Sequence, residues 1–249
     1  MPPKIVLIRH AQALHNVENK LRPSSPSHSV TPTNTLIQEY SLRDPKLTQL
    51  GESQCQHLQE SLFQRFGKVP IQDTAVIVSP MIRTMQSATL ALDWLVDKLP
   101  FEASADWQEN SSQPCDTGSP IANPSPFPHI TFADLDPVWP DKTSPSARRY
   151  FHTRSAIVER GRLVLEALFN RPEKLIFVVS HAGFLRVGVT GCYFMNSDYR
   201  IFDFEQGLQD GRRAIKQDES TIEGGLGLSL TKTVPLGEGL PDDDGSISA

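Results

Sequence analysis

Three short apolar runs constrain this chain more than any other feature: KIVLI (4–8), AVIVS (75–79) and KLIFVVS (174–180). Each is rich in β-branched residues and unbroken in hydrophobicity, as a strand reads when both its faces are covered. Helical patterns lie between them. In LTQLGESQCQHLQESLFQRFG, residues Leu50, Cys55, Leu58, Leu62 and Phe66 fall on one face, with Thr48 as N-cap and Gly67 as stop. Met85, Ala88, Leu92, Leu95 and Leu99 recur at similar spacing between Met81 and Leu99. Near 153–170, Ile157, Gly161, Val164, Leu165 and Leu168 do the same, and Pro172 comes after them. This alternation predicts a three-layer α/β/α sandwich with a mostly parallel central sheet.

Two stretches interrupt the rhythm. RPSSPSHSVTPTNT (22–35) reads as a long surface loop, and NSSQPCDTGSPIANPSPFPHI (110–130) is similarly irregular. Loops this long in a compact domain tend to be functional, so 22–35 and 110–150 are expected to form a substrate-facing lid. Residues 1–223 are assigned to one domain. From Gly224 to Ala249 the composition turns Gly-rich and then acidic, ending PDDDGSISA, which predicts a solvated tail.

The residues just past each apolar run carry the chemistry. The first run ends in Arg9-His10, the second in SPMIR with Arg83 in the first turn of the next helix, the third in Ser180-His181-Ala182-Gly183. In open α/β sheets the ligand crevice lies outside the carboxyl ends of the strands. Three strand ends therefore deliver cationic or potentially cationic groups to one edge. Two arginines and two histidines at one mouth specify a dianion, most naturally a phosphoryl group, because guanidinium forks match phosphate oxygens and keep their charge. A histidine among cations is held near neutral more easily, leaving a ring nitrogen free to attack phosphorus.

Composition narrows the alternatives. A net charge of -5 argues against general nucleic-acid or anionic-membrane binding. No stretch approaches the roughly 20 apolar residues of a membrane span, and the N-terminal run is too short for a signal peptide. Cys55, Cys115 and Cys192 are widely spaced with no CxxC pair, so reduced thiols and a cytoplasmic or nuclear address are expected. There is no GxxxxGK[ST] loop, no HExxH and no His/Asp cluster, so neither a nucleotide P-loop, a metal nor another cofactor is expected.

LIRHAQALHN, VIVSPMIRTMQSA and FVVSHAGFLR resemble the signature blocks of the histidine phosphatase superfamily, which has the phosphoglycerate-mutase-like fold. RDPKLTQLGESQ is similar to that family's linker into its first helix, and the likeness runs from Lys4 to about Gly191. The resemblance implies that His10 is a nucleophile forming a phosphohistidine and that Arg9, Arg83 and His181 bind the phosphate, as does Asn16. The family's usual glycine after the histidine is Ala11 here. A proton donor for the leaving oxygen is placed by the family in a loop after the second strand–helix unit. ADWQEN matches, making Glu109 the candidate and Asp106 the runner-up.

The expected activity is hydrolysis of a small-molecule phosphomonoester. A mutase returning the phosphoryl group to a bound intermediate is the alternative, as is a non-catalytic phosphate-ligand-binding protein. His15 beside Asn16 is read as a loop-orienting residue. His28, His57, His129 and His152 are read as solvated, Trp107 and Trp139 as pocket lining or satellite packing, and Cys115 as chemically inert.

Overall fold

The computed structural model describes residues 1–19, 37–38, 40–122 and 125–243. The expected loop 22–35, including His28, lies outside the described residues. Among the described residues the strands are β1 (Lys4–Arg9), β2 (Glu18–Asn19), β3 (Ile37–Gln38), β4 (Thr74–Val78), β5 (Phe101–Ala103), β6 (Ile130–Thr131), β7 (Leu175–Ser180), β8 (Tyr199–Gln209) and β9 (Arg212–Gln217). Helices α1 (Gln49–Phe66), α2 (Ile82–Ala91), α3 (Asp93–Val96) and α4 (Arg154–Phe169) accompany them. Seven strands form one sheet in the order β6-β5-β4-β7-β1-β8-β9, while β2 and β3 pair separately. β6 through β1 run parallel; β8 and β9 are antiparallel additions at one edge.

The unbroken apolar runs are the central strands β4, β7 and β1, and their alternate residues feed two cores. Val6, Ile8, Val76, Val78, Phe177 and Val179 face α1 and α2. Ile5, Leu7, Ala75, Ile77, Ile176 and Val178 face α4 and a π-helix at Phe184–Thr190. Sheet residues pointing alternately to two helix layers make the α/β/α sandwich.

Register sets where the strands end. Arg9 stands opposite Ser180, and Val78 opposite Val179. The His10 amide continues the ladder to the Ser180 carbonyl at 3.0 Å, and the Ser79 amide does so to Val179 at 3.0 Å. The three carboxyl ends are therefore level.

Helix details differ from the sequence pattern in instructive ways. Thr48 caps α1 by accepting from the Gly51 amide at 3.0 Å, yet Leu50 is 55% exposed and Gly51 takes its place on the buried face with Cys55, Leu58, Leu62 and Phe66. The reason is steric: a Cβ on Gly51 would stand 2.1 Å from the Gln12 carbonyl oxygen. That approach packs the start of α1 onto the loop after β1. The single helix expected over Met81–Leu99 breaks at Leu92 (φ -122°, ψ 31°) into α2 and α3, although Met85, Ala88, Leu92 and Leu95 remain buried. The β8–β9 hairpin, which the sequence pattern does not mark, turns through Asp210 and Gly211, both at positive φ, as a two-residue hairpin requires.

Residues 224–243 do not behave as a solvated tail. Gly225 donates its amide to the Tyr199 carbonyl at 2.7 Å, Ser229 donates to Asp198 at 2.6 Å, Leu240 is buried, and Asp242 accepts from Arg154 at 3.1 Å. Isolated apolar and glycine positions seat this strap, a signal that composition averages away. Residues 244–249 lie outside the described residues.

Candidate active site

Backbone geometry brings the strand ends together, and hydrogen bonds then fix each side chain. His10 is 2% exposed. Its Nδ1 lies 2.7 Å from the Ala11 carbonyl, and its Nε2 lies 3.2 Å from Arg83 Nε. A carbonyl and an arginine nitrogen leave one tautomer: Nδ1–H donates to Ala11, and the Nε2 lone pair accepts from Arg83. Burial, then the charges of Arg83 and Arg9, hold the His10 imidazolium well below the usual histidine range. The result is a neutral imidazole whose unprotonated nitrogen faces cations.

Arg83 is wholly buried near the start of α2. Asp44 anchors that helix start, accepting from the Ile82 amide at 2.9 Å and the Ser119 amide at 2.8 Å. Besides His10, Arg83 donates from Nη1 to the Cys115 carbonyl at 2.6 Å and from Nη2 to Asp116 at 3.3 Å. Ser87 donates to the Arg83 carbonyl at 2.7 Å and accepts from the Ala11 amide at 3.0 Å, tying α2 to the loop after β1.

His181 is fully buried, its ring 5.2 Å from that of His10 in an edge-on arrangement. Its Nε2 pairs with Ser79 Oγ at 2.9 Å. Burial and Arg83 hold it neutral as well. Arg9 donates from Nη1 to the Phe194 carbonyl at 2.9 Å, and burial pushes its guanidinium down to about 10, still cationic at neutral pH.

Glu109 reaches the same mouth from the segment after β5. Its Oε1 accepts from the Asn110 and Phe184 amides, both at 2.9 Å, and Oε2 accepts from Gly183 at 3.0 Å. The carboxylate thus sits on the loop after His181. Asp106, the runner-up, pairs instead with Arg149 at 2.5 Å. Asn16 is near the site, and its amide also makes local hydrogen bonds. Oδ1 accepts from the Ala13 amide at 3.1 Å and Asn196 at 3.4 Å, and Nδ2 donates to His15 Nε2 at 3.1 Å.

Several contributors carry no legible sequence signal. Lys142, in the expected lid segment 110–150, is 4% exposed. Its Nζ donates to the carbonyls of Glu109 (2.7 Å), Ser111 (2.8 Å) and Asp116 (2.6 Å). Ser79 and Ser87 lie within the VIVSPMIRTMQSA block without being singled out there, and Asp116 lies in the PCDTG stretch of the irregular segment with no motif of its own. His15, read as loop-orienting, is 7% exposed, and His129 pairs with Thr89 Oγ1 at 2.9 Å instead of being solvated. Trp107 packs edge-on against Phe184, and Trp139 joins Met81, Ala105, Ala147 and Tyr150 in a satellite core. Cys55, Cys115 and Cys192 are buried and free; burial pushes the Cys115 thiol up to about 12, so it carries no thiolate.

Two permanent cations surround a buried neutral imidazole at the carboxyl edge of a parallel sheet, an arrangement suited to an anion. The family model of the histidine phosphatase superfamily (branch 1) matches residues 5–206, and the chain belongs to that superfamily. A phosphoglycerate mutase-like protein of Arabidopsis thaliana is 30% identical over 215 residues, covering 73% of this chain and 71% of the relative. A protein of Schizosaccharomyces pombe named as a probable phosphatase is 26% identical over 221 residues, covering 87% and 84%. Among solved structures, a phosphoserine phosphatase mutant of Entamoeba histolytica shares 14% identity at a TM-score of 0.48, over 88% of this chain and 98% of that one. No helix among the described residues is long and apolar enough to cross a membrane.

Proposed function

We propose that this chain hydrolyses a small-molecule phosphomonoester through a phosphohistidine at His10. The observation that carries the reading is the fixed tautomer of His10, whose unprotonated Nε2 faces Arg83 within a buried cationic cluster. Nε2 attacks phosphorus in line with the ester oxygen. The N–P bond forms as the P–O bond breaks, and Glu109 gives its proton to the departing oxygen. Arg9, Arg83 and His181 hold the equatorial oxygens while charge moves through the transition state. The Glu109 carboxylate then takes a proton from water, whose oxygen attacks phosphorus and returns the electron pair to Nε2. Superfamily membership and the phosphatase name of the fission-yeast relative support this reading. From the expected lid segment, the Cys115 carbonyl and Asp116 accept from Arg83, and Lys142 donates to the Glu109 carbonyl.

Brief exposure to [32P]-labelled phosphomonoesters, then alkaline denaturation, tests it. Base-stable, acid-labile label on the wild type that is absent from His10→Ala is the expected result. Label passing to a second phosphate ester rather than to water would make the protein a mutase. No label and no released phosphate across a metabolite panel would leave it a binding protein.

A further inference from the structure

Around His10, three buried nitrogens have no hydrogen-bond partner among the described residues: Arg9 Nε, His15 Nδ1 and His181 Nδ1. Arg9 Nε is a donor at any working pH. His181 is a donor at Nδ1 if its Nε2 accepts from the Ser79 hydroxyl that faces it. His15 is settled by chemistry alone. Its Nε2 lies 3.1 Å from Asn16 Nδ2, which has only hydrogens to offer. Nε2 therefore accepts, and the ring proton is on Nδ1.

His15 belongs to the pocket by position. Its ring centroid is 5.9 Å from that of His10, and after burial the charges that act on it most are those of Arg83, Asp116 and Arg9. Burial pushes its imidazolium down to about 3, so it stays neutral across the working range. A buried N–H left unpaired costs the desolvation of the group. Such groups in native folds call for an explanation, and a ligand is one of the few available. Unpaired N–H groups beside His10 suit the equatorial oxygens of a phosphoryl group undergoing transfer.

Resting on the phosphohistidine reading, we propose that His15 is a phosphate ligand, donating from Nδ1–H to a phosphoryl oxygen and held in that tautomer by Asn16. The family resemblance has Asn16 touch the phosphate itself. One Nδ2–H fixes the His15 ring while Oδ1 accepts from Ala13 and Asn196, and the second Nδ2–H is left for that contact. A neutral donor suits this place. It stabilises charge on the oxygens without adding a third full cation beside the His10 lone pair, whose nucleophilicity a further positive charge would reduce.

The test is binding of inorganic phosphate to the full chain, measured calorimetrically, for wild type, His15→Phe and His15→Asn. Asparagine places an N–H close to the position of imidazole Nδ1; phenylalanine fills the space without a donor. A hydrogen bond to a charged partner predicts about tenfold or greater weakening in His15→Phe, with recovery to within about threefold in His15→Asn. Wild-type protein carrying 15N-histidine supplies a second readout that needs no variant to fold: the His15 Nδ1 resonance shifts on adding phosphate. His15→Phe binding phosphate as tightly as the wild type, or an unmoved His15 Nδ1 resonance in phosphate-saturated protein, overturns the assignment while leaving the phosphohistidine reading intact. Wild type that neither binds phosphate nor takes up label overturns both.

Discussion

Arg83 Nε donates to His10 Nε2 at 3.2 Å, so the proposed nucleophile and a proposed phosphate ligand are hydrogen-bonded to each other. In the proposed mechanism this contact occupies the lone pair that attacks phosphorus. An incoming phosphoryl oxygen would then accept the Arg83 N–H hydrogen bond in place of His10, which couples substrate binding to nucleophile exposure. Arg83→Met removes that coupling and one charge stabilising the transition state. Loss of such a donor typically costs about 10²–10³ in rate, and kcat/KM on para-nitrophenyl phosphate is expected to fall by that amount. Arg83→Lys keeps the charge but cannot serve His10, Cys115 and Asp116 together. It should recover only part of the loss, and a lysine variant within about threefold of wild type would contradict the three-way role.

The buried imidazoles make stability depend on pH in a definite direction. His10 and His181 are held well below the usual range and His15 at about 3, each chiefly by burial. Well above pH 6.5 these groups are neutral both folded and unfolded and contribute no dependence. Below it the unfolded chain takes up protons that the folded chain refuses, so stability falls as pH falls from about 6.5 toward the folded values. The slope approaches about 1.4 kcal/mol per pH unit for each group. Urea unfolding at several values between about pH 7.5 and about pH 4.5 should show a flat region and then progressive loss. His15→Asn should make the acid slope shallower by about one group. The same depression keeps His10 competent in mild acid, so the acid limb of kcat/KM, corrected for the substrate's own ionisation near about 6, lies below the ordinary histidine range.

The strand ends are readable because each clue is local. Arg9, His10, Arg83 and His181 lie within a few residues of apolar runs whose parallel pairing then makes them level. Lys142, Asp116 and Asp44 are not readable in the same way. They act through loops without periodicity, and their partners include backbone carbonyls and amides that no sequence pattern marks. The break at Leu92 is hidden because apolar spacing continues through it on the same face. The β8–β9 hairpin escapes the pattern because β8 is buried only over Tyr199–Phe202, then runs out largely exposed with no clear alternation.

Gly183 offers a way to move Glu109 without altering its chemistry. Its φ of -65° suits any residue, but an added Cβ would stand 2.5 Å from Glu109 Oε1. Gly183→Ala should therefore fold with little change in thermal midpoint while displacing the carboxylate from two of its three amide donors, those of Gly183 and Phe184. Proton donation matters most when the leaving group is basic. Turnover of an alkyl phosphate should fall by about tenfold or more, toward the lower range for general acid catalysis, while para-nitrophenyl phosphate is nearly spared. Equal losses on both substrates would assign Glu109 to binding rather than to proton transfer.

Lys142 holds the segment that carries both Glu109 and Asp116. Its three carbonyl acceptors at residues 109, 111 and 116 use every N–H of an ammonium, so the segment is clamped at both ends and in between. Burial nevertheless pushes the ammonium down to about 7, and the clamp sets desolvation of a charge against three strong hydrogen bonds. Lys142→Met relieves the buried charge and leaves three carbonyls without their donor, each at a cost of about 1–3 kcal/mol where water cannot reach it. The expected outcome is a lowered thermal midpoint together with a fall in kcat larger than any rise in KM. Arg83 loses a settled Cys115 carbonyl, and Glu109 loses its anchored backbone. The leaving-group comparison used for Gly183→Ala separates the two effects, since misplacement of Glu109 spares para-nitrophenyl phosphate and misplacement of Arg83 does not. Lys142→Met with unchanged kcat on both substrates would confine the lysine to a structural role.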